Sequence, residues 1–157
     1  TQKVLDEASR AWLNTLPYEL RLPEFLLVHG APVNYFEYVL EKRSAAQAFD
    51  RTDAPLVFIG HTHIAECWVQ EDAGQIGLKH MQHGGEMTLV EGRRYIVDVG
   101  SVGQPRDLNP EASFAFYEPE KRRVRWVRYE YPIATVQEKI RQAGLPGYLA
   151  DRLRVGR

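Results

Sequence analysis
The sequence predicts an α/β fold with a parallel sheet at its heart, and three observations carry that prediction. Phe25-Leu26-Leu27-Val28 and Leu56-Val57-Phe58-Ile59 are short, unbroken apolar runs, each entered through a proline, Pro23 or Pro55. Runs of this kind mark strands buried on both faces of a sheet. The stretch between them, Asn34 to Arg51, mixes polar and apolar residues in a helix-friendly way. A strand, helical crossover and strand of this length close right-handed and leave the two strands parallel. A third run, Tyr95-Ile96-Val97-Asp98-Val99, also reads as a buried strand and also runs into glycine.

The remaining elements follow in order. Leu5, Ala8, Trp12 and Leu16 recur at helical spacing until Pro17, which ends that helix and makes Trp12 a core residue. After the second apolar run, Ala65 to Gln70 and Gln75 to Met81 flank the turn signal Glu71-Asp72-Ala73-Gly74, so a hairpin is expected. Further strands are expected at Glu86 to Val90, Arg94 to Val99, Ser113 to Tyr117 and Arg122 to Tyr129. Pro132 interrupts extended structure, Ile133, Val136 and Ile140 mark a helix that stops near Gly144, and a short helix from Gly147 to Val155 follows. Lys121 to Arg128 carries five basic residues around Trp126. Period-two alternation, with Val124 and Trp126 inward and Arg123 and Arg125 in water, explains it more simply than a nucleic-acid strip. No repeat or linker divides the chain, so residues 1–157 read as one domain.

Composition narrows the field. With 157 residues, 44% of them hydrophobic, the chain can bury one substantial core. A formal net charge of -1 argues against a surface dominated by nucleic-acid binding. A single cysteine, Cys67, excludes an intrachain disulfide and suits a reducing cytoplasm. It lies in a strand-like segment with no activating pattern, so it reads as a packing residue. No apolar stretch approaches the length of a membrane span.

Histidines carry the chemistry. His29 ends the first apolar run in Val28-His29-Gly30, and His61 and His63 follow the second in Gly60-His61-Thr62-His63. Parallel strands deliver their carboxyl ends to one edge, where open α/β sheets bind ligands. Imidazole is a common metal ligand, so three of them at strand ends point to a metal site. His80 and His83, before Gly84-Gly85, read as hairpin residues. The loop Gly100-Ser101-Val102-Gly103-Gln104-Pro105-Arg106-Asp107 can present N–H groups, a hydroxyl and a guanidinium to an anion. The competing reading is a tight turn in which Arg106 and Asp107 pair with each other.

Taken in order, Val28-His29-Gly30, Gly60-His61-Thr62-His63 and Gly100 to Asp107 resemble the calcineurin-like metallophosphoesterases, specifically the small prokaryotic branch called YfcE-like phosphodiesterases. The likeness continues through Ala112-Ser113-Phe114-Ala115 and Gly144-Leu145-Pro146. It implies two packed mixed sheets flanked by helices, of which this chain is the C-terminal part. Two positions depart: Asp98 stands where the family usually has asparagine, and Ala31 where serine is common. The family's Asp-x-His, Gly-Asp-x-x-Asp and Gly-Asn-His-Asp/Glu motifs are not in the chain.

The resemblance also implies the reaction. It is the metal-dependent hydrolysis of a phosphate ester, mono- or diester, by metal-bound hydroxide between two divalent ions, manganese first and iron, nickel or zinc as alternatives. His29 and His61 would bind one ion and His63 the other, with Arg106 as the anion contact. The general-acid histidine and the remaining ligands would come from the N-terminal portion, in the same protein or an accompanying chain, so this chain alone is expected to be inactive. The expected partner is a small phosphate ester in the cytoplasm, without a membrane, and with nucleic acid only as a phosphodiester substrate. The rival reading is a non-catalytic scaffold on the same fold, like the retromer scaffold subunit.

Overall fold
The structure is a computed structural model that describes residues 5–71 and 73–157, so Asp72 of the expected turn lies outside the described residues. In chain order it contains α1 (Glu7–Thr15), β1 (Glu19–Arg21), β2 (Leu26–Val28), α2 (Lys42–Asp50), β3 (Leu56–Ile59), β4 (Ala65–Gln70) and β5 (Ile76–His80). There follow β6 (Gly85–Thr88), β7 (Arg94–Val99), β8 (Ala112–Glu118), β9 (Arg123–Tyr129), α3 (Ile133–Gln142) and α4 (Tyr148–Asp151), which a 3-10 turn extends over Arg152–Val155. Two sheets form: six strands in the order β1-β2-β3-β7-β4-β5, and three in the order β6-β9-β8. β2, β3 and β7 are parallel, as the crossover requires, while β4 and β5 continue the sheet antiparallel. The smaller sheet is antiparallel throughout.

Alternation along the central strands divides the core in two. On one face, Val57 of β3 and Ile96 of β7 pack with Ala45, Ala48 and Phe49 of α2. On the other, Leu56, Tyr95 and Val97 meet Val124 and Trp126 of the smaller sheet. The basic strand β9 therefore follows the alternation: Val124 and Trp126 are buried, Arg123 pairs with Glu118 and Glu86, and Arg125 lies over the Phe116 ring. Cys67 is fully buried and burial pushes its thiol up, which makes it a packing residue. Among the described residues no helix is long and apolar enough to cross a membrane.

Two expectations need correction, and one strand is new. The crossover is helical only over Lys42–Asp50; the stretch from Asn34 is a loop, because Asn34 accepts from Phe36 through its side chain and from Ala31 and Glu37 through its carbonyl. Such local bonds compete with helix formation. Trp12 is not core: it is 61% exposed, and α1 buries no residue at all. Its apolar stripe has nothing to pack against among the described residues. Finally, β1 was not foreseen, since three residues of mixed polarity give no periodic signal; it pairs antiparallel with β2 at the edge.

Candidate metal centre
β7 lies between β3 and β4, so the turn that leaves β3 at Ile59 and enters β4 at Ala65 must pass over the carboxyl end of β7. That arch is Gly60-His61-Thr62-His63-Ile64. It starts from a bond between the Gly60 N–H and the His29 carbonyl, 2.9 Å, which ties it to the end of β2. His61 and His63 both take left-handed backbone conformations, φ 61° and 65°. Residues other than glycine adopt this region at a cost, and such strain collects at functional sites.

The turn brings two of the candidate histidines together. His29 Nε2 and His61 Nδ1 are 2.9 Å apart, and Tyr38 stacks on the His61 ring at 4.2 Å between centroids. Two nitrogens each about 2.1 Å from one cation stand roughly 3 Å apart when they occupy neighbouring positions around it. The spacing of the pair agrees with that distance, and in the structure one of the two ring nitrogens donates its N–H to the other. His63 faces a different neighbour: its Nδ1–H donates to the Gln104 carbonyl at 2.8 Å, leaving the Nε2 lone pair available. A backbone carbonyl behind the ring is the usual way a ligating histidine is held in one tautomer. Burial, with the His61 charge adding, holds His29 below the ordinary imidazole range. Burial likewise lowers His63, opposed by the Gln104 bond and reinforced by Arg106. Both are thereby favoured in the neutral form that a metal requires.

The histidines do not suffice as a cage. Among the described residues no group of three or more histidine, cysteine, aspartate or glutamate side chains is arranged to hold a metal ion. The Arg106 backbone is tied to the site, its main-chain N–H donating to the His63 carbonyl at 2.9 Å, and its buried side-chain Nε has no partner. The rest of the glycine loop turns inward instead of toward an anion, because the Ser101 hydroxyl accepts from Gly103 and Gln104. Asp107 does not pair with Arg106; it takes Arg128 and the Ala65 N–H. His80 ends β5 beside Glu66 at 3.5 Å, and His83 lies in the loop beyond, beside Gln82.

Asp98 is the residue whose part in the site the sequence left unassigned. It is 1% exposed at the end of β7, accepting the Thr62 hydroxyl at 2.6 Å and the Gly100 N–H at 3.0 Å. Burial pushes its carboxyl well above the usual range, with Glu66 and Asp107 adding to the effect. A lone acid inside an otherwise apolar run was the available signal.

Beside His29, a cleft of about 610 Å³ opens between the two sheets, lined by Tyr18, Leu20, Phe25, Leu27, Phe58 and Tyr117 among others. The fold has solved counterparts. A metallophosphoesterase from Sphaerobacter thermophilus superposes with a TM-score of 0.91 at 38% identity, over all of this chain and 65% of that one. The chain resembles the calcineurin-like metallophosphoesterases in sequence and shares their fold. A hypothetical protein, PH1004 from Pyrococcus horikoshii, shares the fold alone, with a TM-score of 0.65 at 19% identity over 93% of this chain and 53% of that one. The uncharacterized protein MJ0912 of Methanocaldococcus jannaschii is 31% identical over the whole chain. No family model matches. The chain spans 63% of the length of that curated relative and 65% of the Sphaerobacter protein.

Proposed function
We propose that the chain carries part of a two-metal centre that hydrolyses phosphate esters, as the C-terminal part of a longer domain that supplies the other ligands. His29 and His61 share one divalent ion and His63 binds the second. The observation that carries this reading is the 2.9 Å approach of His29 Nε2 to His61 Nδ1 at the carboxyl edge of the sheet. The left-handed backbone of His61 and His63 supports it over a non-catalytic scaffold, since backbone strain collects at functional sites. The absence of a three-ligand group among the described residues supports the need for a further portion, and so does the shorter span relative to the relatives.

Bound at these residues, divalent ions would supply Lewis acidity toward phosphoryl oxygens and a nucleophile from water near neutral pH. The chain's own residues have simpler tasks. The Gln104 carbonyl fixes the proton on His63 Nδ1, the Tyr38 ring holds the plane of His61, and the Arg106 guanidinium meets the phosphate charge. Proton delivery to the leaving group falls to the further portion. Manganese is the proposed metal and a small phosphate mono- or diester the substrate. The full-length protein, given Mn²⁺, is expected to cleave an aryl phosphate diester or monoester, and His61→Ala to lower that rate by at least about a hundredfold. Absence of turnover on both ester types, or full activity in the alanine variant, would overturn the reading.

A further inference from the structure
The geometry points to Asp98 as the positioning residue that fixes the histidine turn over the end of the sheet, through Thr62. This inference rests on the proposed metal centre and says how the protein holds it in shape. A turn that crosses over one strand to reach the next has no ladder of its own to define it. Its backbone must be fixed by something standing beneath. Asp98 occupies that place, opposite Ile59 on β3 and opposite Glu66 on β4 in the register of the sheet.

The contacts make the post rigid in both directions. Thr62, between the two left-handed histidines, gives its hydroxyl to Asp98 Oδ2 and receives the Ile64 N–H on the same oxygen at 2.9 Å. Asp98 Oδ1 takes the Gly100 N–H, so one carboxyl group couples the histidine turn to the glycine loop that carries Gln104 and Arg106. Below, the Asp98 carbonyl accepts the Trp126 indole N–H at 2.9 Å, which anchors the post to the smaller sheet. Pulling out Asp98 leaves the Thr62 O–H without an acceptor under the arch, with only the local Ile64 bond remaining. His61 and His63 then lose the constraint that keeps their backbones in the left-handed region, and relax away from it.

The test uses the full-length protein and Mn²⁺ alone, titrated calorimetrically, with the thermal midpoint as a reference for folding. Asp98→Ala is expected to weaken Mn²⁺ binding about tenfold or more, as loss of a supporting residue behind a metal ligand does. Thr62→Val is expected to act in the same direction. Asp98→Asn retains an acceptor for Gly100 and offers an N–H to Thr62, so it is expected to bind within about threefold of the original. Histidine ring resonances recorded without metal should move in Asp98→Ala and Thr62→Val and return in Asp98→Asn. Unchanged Mn²⁺ affinity in folded Asp98→Ala and Thr62→Val would overturn the inference, and if Asp98→Ala does not fold, Thr62→Val alone decides. His61→Ala separates the two readings: if it loses Mn²⁺ while Asp98→Ala and Thr62→Val keep it, only the positioning role falls. If His61→Ala keeps Mn²⁺, the metal centre and the positioning role fall together.

Discussion

At the centre of the larger sheet Val57 and Ile96 are fully buried beneath α2, and on the opposite face Trp126 of the second sheet closes over Leu56, Tyr95 and Val97, whereas along residues 12–40 Trp12, Tyr18, Phe36 and Leu40 all stand more than half exposed. The residue types are alike in the two regions. What differs is the partner: β3, β7 and β4 have α2 on one face and β9 on the other, while α1, β1 and the loop after β2 have a face that nothing described covers. Large apolar side chains left in water, where they adjoin one another as Tyr18 does Tyr35 and Phe36, are the material of contacts with other protein. The His29 and His61 pair sits on the boundary, next to the cleft that opens toward the uncovered flank. The site is therefore anchored from the packed side and open on the other.

The strongest way to break that comparison is to remove the packing at the centre. Trp126→Ala deletes a buried indole and its bond to the Asp98 carbonyl, and should cost about 3–5 kcal/mol in urea unfolding. A cost below about 1 kcal/mol would mean that the second sheet contributes little to holding β7 in place.

A smaller effect sharpens the electrostatic side of the same region. Glu66 is buried on β4 and its carboxyl is pushed up to about 7, with the Asp107 charge adding to burial. In the unfolded chain it titrates near 4.3. Below that value both states hold the proton and no penalty arises. As pH rises to 7 the unfolded chain releases its proton while the folded chain retains it, so stability falls across this window and stays lower above it. Glu66→Gln should remove that loss, on the order of 2 kcal/mol at pH 8 relative to pH 5. Urea midpoints for both proteins at the two pH values decide it, and identical slopes would show that Glu66 is solvated.

The centre was also the legible part of the sequence. Leu56 to Ile59 and Tyr95 to Val99 announce buried strands because both faces are covered, and the crossover rule then puts His29 and His61 on one edge without further information. Arg94–Val99 and the β4–β5 hairpin fall where the apolar runs place them. The flank misled for the complementary reason. The stripe of Trp12 and Leu16 carries the same periodicity as a core-facing helix, but periodicity records only that a face is apolar, not that a partner is present. Asp98 was visible as an acid in an apolar run, yet its role depends on the turn crossing above it, which follows from the strand order β3-β7-β4 and not from spacing along the chain.

The smallest expected effect separates the two regions most cleanly. Trp12→Ala should change the stability of this chain by about 0.5 kcal/mol or less, since the side chain is largely in water and α1 buries nothing. If the flank faces the portion that completes the site in the longer protein proposed above, the same substitution should cost about 2–4 kcal/mol there, in the range of a buried large side chain. The difference between the two measurements reports the cover directly, because the local helix is common to both. Equal small costs would show that the flank stays open when the protein is whole. The residues around Trp12 and Phe36 would then be a surface for a separate molecule, and the boundary at His29 would have to be completed from somewhere other than this face.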